Sequence, residues 1–146
     1  MRQDLKERFI EGQFKFMDED FDGCICVFSE ILEADPQCAK VYQARAIARL
    51  RLNDNDGAIE DIDAAIRCEP ENARFYYHKG AILFKAEILD EALKYLTQAI
   101  DLAPEYAPAY ALRGEVYERL GDKDAAGLDM NNAMVLRKES SKIVDW

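Results

Sequence analysis

Residues 36–70 read PQCAKVYQARAIARLRLNDNDGAIEDIDAAIRCEP. The prolines that bracket this stretch, Pro36 and Pro70, recur at Pro104, a constant step of 34 residues. Between them lie two helix-length segments whose apolar residues return at about every third and fourth position. The first runs from about Val41 to Leu52 and the second from about Gly57 to Cys68. Asn53-Asp54-Asn55-Asp56 separates them and carries turn and helix-start chemistry. The stretch is therefore a helical hairpin, closed by a proline that cannot continue the second helix.

The same unit extends in both directions. Asp22, Asp56, Asp90 and Asp124 keep the step, as do Gly12, Ala46, Gly80 and Gly114. Further columns are Cys24, Ala58, Ala92 and Ala126, and Ile31, Ala65, Ala99 and Ala133. Phe28, Ile62, Leu96 and Met130 form a large apolar column, and Tyr42, Tyr76 and Tyr110 an aromatic one. Each column has a physical use. Aspartate at a helix start favours the positive end of the helix dipole. Small residues let two helices approach until their side-chain ridges interlock. The bulky column plugs the seam.

These columns resemble the tetratricopeptide-repeat family, whose small, tyrosine, alanine, large apolar, alanine and proline positions all recur here. The likeness covers repeats at about 5–38, 39–72, 73–106 and 107–140, with a tail at 141–146. It implies one all-α domain: a right-handed superhelix, or α-solenoid, of four helix-turn-helix hairpins plus a C-terminal extension. It also implies a concave wall built from the first helix of each repeat. Two departures stand out. Arg8 takes the aromatic column in the first repeat, and Lys138 takes the proline column in the fourth, so the last helix is expected to run on.

Composition narrows the function. The chain has 146 residues, is 49% hydrophobic, and carries a formal charge of −10. That apolar content suits a folded unit rather than disorder. The negative charge disfavours nucleic acid and anionic membranes. No apolar run is long enough to span a bilayer, and Met1 to Arg8 holds no leader core. Cys24, Cys26, Cys38 and Cys68 read as reduced thiols, and the expected location is cytoplasmic. His78 is the sole histidine, so no metal cage is expected. Residues 18–23 (DEDFDG) match half of a calcium loop, but Ser29 stands where the closing glutamate belongs. No nucleophile elbow or phosphate loop occurs. The expectation is a protein that is not an enzyme and needs no cofactor.

The family's architecture would place Lys6, Phe9, Gln13 and Phe16 on the inner wall, followed by Lys40, Gln43, Ile47 and Arg51. Arg74, Tyr77, His78, Phe84, Lys85 and Arg119 would continue it. Six cations against Glu115 and Glu118 leave that wall near +4. The implied function is a scaffold, adaptor or co-chaperone-like module that holds an acidic or apolar peptide, extended or helical, in a groove. The alternative for the aromatics is that they are core. One family subtype grips acidic chaperone tails through a clamp of lysines, asparagines and an arginine. The matching places here hold Phe9, Gln13, Ala44, Arg74 and His78, which argues against that subtype. Arg45 with Asp61, and Arg113 with Asp129, each 16 residues apart, are expected to form structural ion pairs at the hairpin seam. Ile143, Val144 and Trp146 either cap the last repeat or dock into a neighbouring subunit, which would make the chain a self-assembling homo-oligomer.

Overall fold

The computed structural model describes the backbone of residues 1–144 and the side chains of residues 1–139. Every described element of regular structure is a helix. The chain divides into two compact units, Met1–Pro70 and Glu71–Trp146, each made of two hairpins. The first unit contains α1 (Gln3–Met17), α2 (Phe21–Ala34), α3 (Ala39–Arg51) and α4 (Asn55–Cys68). The second contains α5 (Ala73–Lys85), α6 (Leu89–Leu102), α7 (Ala107–Leu120) and α8 (Lys123–Val144). In each unit, helices adjacent in sequence pack on one another.

The start of each hairpin's second helix follows from its acids. Asp20 and Asp54 cap α2 and α4 by accepting from the backbone N–H groups of Gly23 and Gly57. Asp122 accepts from Ala125 N–H in the same way, and the Asp22 column fills the first turns. The aromatic column has a second task. Tyr42 and Tyr110 each donate a hydroxyl hydrogen bond to the carbonyl of the proline six residues earlier, Pro36 and Pro104. The loop between repeats is thereby tied to the helix that follows it. Where Arg8 replaces tyrosine, the side chain instead pairs with Glu11 and Glu30.

The turn within each hairpin holds one residue in the left-handed region: Glu19, Asn53, Glu87 and Gly121, again 34 residues apart. Glycine takes that conformation without steric cost, whereas the two glutamates are strained there.

The core of the first unit joins Phe9 of α1, Phe28 and Leu32 of α2, and Val41 and Ala48 of α3. In the second unit, Ala99 and Ile100 of α6 meet Ala109 of α7 among four tyrosines. Phe28, Ile62 and Leu96 are fully buried, but Met130 in the same column is exposed, as the last helix has no later helix packed over it. Helix α8 continues beyond the repeat length to Val144, with no break at residue 140. The capping or docking expectation for Ile143, Val144 and Trp146 lies outside the described residues.

Candidate functional site

The seam between paired helices carries the strongest polar geometry. Arg113 donates from Nε to Asp129 at 2.7 Å and from Nη2 at 2.8 Å, a two-pronged bond to a buried carboxylate. Its third prong reaches Thr97 Oγ1 on the preceding helix at 3.3 Å. Arg45 does the same, with bonds of 2.9 and 2.6 Å to Asp61 and one of 3.0 Å to Ser29 Oγ. Each arginine therefore ties three helices together. Asp61 also accepts from Arg49 at 2.9 Å, a partner the sequence reading did not include. Its signal was available, since Arg49 follows Arg45 by four residues and so shares its face. In the third repeat the cation is Lys79, and its ammonium lies 4.1 Å from the centre of the Tyr95 ring. A cation–π contact there stands where the other repeats use an ion pair.

In the first unit, the expected wall residues converge on an apolar recess of about 450 Å3. Phe9 is buried against Phe28 with ring centres 5.4 Å apart, so it is both core and recess floor. Phe16 is half-buried and meets Phe21 edge-on. Gln13, Ala44 and Ile47 complete the lining together with Ile10, Phe14 and Met17. Lys40 holds its ammonium 4.7 Å from the Phe9 ring, and Arg51 lies over Phe16 and Phe21 at 5.5 and 5.0 Å. Gln43 is half-buried, and Lys6 is exposed. Phe14 was not anticipated. It is exposed and has no counterpart of its size in later repeats, where Ala48 and Val116 hold its column.

The second unit differs. Tyr77 is half-buried and meets Tyr106 edge-on at 5.5 Å. Burial pushes its phenol up, with Glu115 adding to the shift. His78 lies against Tyr77 at 5.3 Å, and burial, then the Arg74 charge, holds its imidazole below the usual histidine value. Arg119 lies 5.0 Å over Phe84 and is gripped by both carboxylate oxygens of Glu87 at 2.8 and 2.9 Å. The sequence reading counted Arg119 among the cations that set the wall's charge. Glu87, from the hairpin turn, offsets that charge. Arg74 and Lys85 are exposed. A recess of about 560 Å3 between α7 and α8 mixes Glu115, Glu118, Arg119 and Lys123 with Phe84 and Met130.

The four cysteines are free thiols, and burial raises Cys24 to about 11, so it is packing rather than a nucleophile. Among the described residues no cluster of metal-ligating side chains occurs, and no helix is long and apolar enough to cross a membrane.

The model of a family described as tetratricopeptide repeat matches residues 44–107 and 87–139, together well over half of the chain. The chain belongs to the tetratricopeptide-repeat family. No curated protein sequence matches it. Solved structures show the same all-α superhelix fold at low identity. MamA residues 41-end from Desulfovibrio magneticus RS-1 aligns with a TM-score of 0.82 at 21% identity, covering 92% of this chain and 76% of that one. TTC0263, a thermophilic tetratricopeptide protein of Thermus thermophilus, aligns at 0.79 and 23%, covering 92% and 75%. The first tetratricopeptide domain of Spaghetti (RPAP3), solved with the HSP90 peptide SRMEEVD, aligns at 0.76 and 24%, covering 82% and 94%.

Proposed function

We propose that this tetratricopeptide protein is a peptide-binding scaffold or adaptor whose working surface includes the recess of the first unit. The observation that carries this reading is an open apolar hollow with a cation placed over two of its aromatic rings. Apolar side chains of a guest would bury against Phe16, Ile10, Met17 and Ile47. Lys40 and Arg51 would receive carboxylates along the same guest, and would speed encounter with an acidic segment. An acidic, amphipathic peptide suits both halves. Peptide binding by the Spaghetti domain supports the general mode but not its clamp chemistry. In the first unit the clamp places hold Phe9, Gln13 and Ala44, which cannot grip a carboxylate as lysine does.

The test is fluorescence polarisation with dye-labelled acidic amphipathic peptides and charge-reversed controls. Lys40→Glu with Arg51→Glu should weaken the acidic peptides about tenfold or more, corresponding to roughly 1.4 kcal/mol. Phe16→Ala should weaken both sets, and SRMEEVD should bind poorly. Equal affinity of the double variant for acidic peptides would reject the electrostatic half of the reading.

A further inference from the structure

The two ends of the repeat array expose the two halves of one junction. Inside the array, the second helix of one hairpin packs on the first helix of the next, as α2 does on α3 and α6 on α7. On the first-helix side of that junction, Ala48 and Val116 are fully buried. Phe14 holds the same column on α1 and is 61% exposed. On the second-helix side, Leu32 and Ile100 are 7% and 8% exposed. Met134 holds their column on α8 and is 54% exposed.

The end faces also differ from the internal ones in ways that complement each other. The first contrast is size. Ile25 of α2 packs on the cluster that includes Ala48. On α8 the Ile25 column holds Gly127, with open space around it, while α1 offers a phenyl ring in place of alanine. Bulk has moved from one side of the junction to the other. The second contrast is charge. Glu7 lies two turns before Phe14 on the same face, where α3 has the buried Val41. Arg137 and Lys138 follow Met134 by one turn and are exposed. In the junction register, the end of the second helix lies near the start of the first, as Leu32 lies in one cluster with Val41. That register would bring Arg137 and Lys138 towards Asp4 and Glu7.

We propose that a second copy of this chain docks head to tail, the α8 face of one molecule covering the α1 face of the next. The contact is heterologous, so each copy keeps one free end of each kind and the assembly grows past a dimer. The surface is separate from the recess described above, apart from Phe14 at its rim, and Met134 takes no part in the recess.

The test uses the full chain and light scattering over a concentration series. The wild type should rise in mass above one chain, and by more at low salt than at high salt. Phe14→Glu and Met134→Glu each alter one exposed face, so circular dichroism should confirm that both stay folded. Each variant alone should remain at one-chain mass. Mixed in equal amounts, they should reach twice that mass and stop, because each supplies the face the other lacks. A wild type that stays at one-chain mass, a variant that still assembles, or a mixture that fails to double would each overturn the proposal.

Discussion

Removing Asp129 tests whether the arginine fork holds the last hairpin together. Asp129 is 4% exposed at its side chain, and Arg113 is 18% exposed. Asp129→Ala deletes two charge-assisted hydrogen bonds and leaves a guanidinium whose Thr97 contact, at 3.3 Å, is the weakest of its three. A fully buried broken pair costs about 3–5 kcal/mol. Water can reach part of Arg113, which lowers the expected loss to about 2–3 kcal/mol. Arg113→Met leaves a carboxylate that water reaches less easily, and should cost at least as much. The double variant strands no charge, so its cost should be no more than about 3 kcal/mol, giving a coupling of about 2 kcal/mol. Urea unfolding followed by circular dichroism reads all three, provided the slope with denaturant stays constant. Asp61→Ala should cost about 1 kcal/mol more than Asp129→Ala, because Asp61 accepts three such bonds from two arginines. Coupling below about 0.5 kcal/mol would show that the pair is ornamental and refute the reasoning.

Three further outcomes are expected. Glu19→Gly should raise stability by up to about 1 kcal/mol, because Glu19 is strained at positive φ and its pairing with Arg51 at 3.9 Å is exposed and weak; an unchanged urea midpoint would contradict this. Gly80→Ala should lose about 1 kcal/mol despite the gain in helix propensity, since a Cβ there would lie 2.7 Å from the buried Leu96 Cγ. Gly114→Ala should be near neutral, because its tightest neighbour is the end of the flexible Met130 at 3.2 Å. The histidine gives a pH signature. Burial holds His78 below its ordinary 6.5 in the folded chain, so on acidification the unfolded chain takes up the proton first. Stability should therefore fall as pH drops through about 6.5 and level off below the folded value, and His78→Asn should flatten that part of a urea-midpoint profile.

The period of the small, bulky and proline columns was enough to place all eight helices, because each column enforces a local rule that repeats. The Arg113–Asp129 pair was legible for the same reason: a spacing of 16 residues carries one helix across the hairpin to its partner. What could not be read was how the side chains share space. Arg119 looks like a free cation in the sequence, yet Glu87 reaches it from a turn 32 residues away. Phe9 looks like a groove anchor, yet its ring also belongs to the core through Phe28. The left-handed turn column escaped notice because only Gly121 announces it, while Glu19, Asn53 and Glu87 are tolerated at a cost.

The columns carry most information where they break. In the middle of the array a position is fixed by what covers it, so Ala48 and Val116 are small because a neighbouring helix lies over them. At the ends that constraint is gone, and solvent should select polar residues. Glu7 fits that expectation on α1, but Phe14, Met134 and Val135 do not. Val135 holds a column filled elsewhere by Glu33, Arg67 and Asp101, so an apolar side chain has replaced a charge on a face that water reaches. Burial against a partner would return to those side chains the roughly 25 cal/mol per Å2 that their exposure forfeits. The recess needs a guest to explain its aromatic lining, and the end faces need a neighbour to explain theirs. The two demands are separable, since Met134→Glu should leave peptide affinity unchanged while it ends assembly.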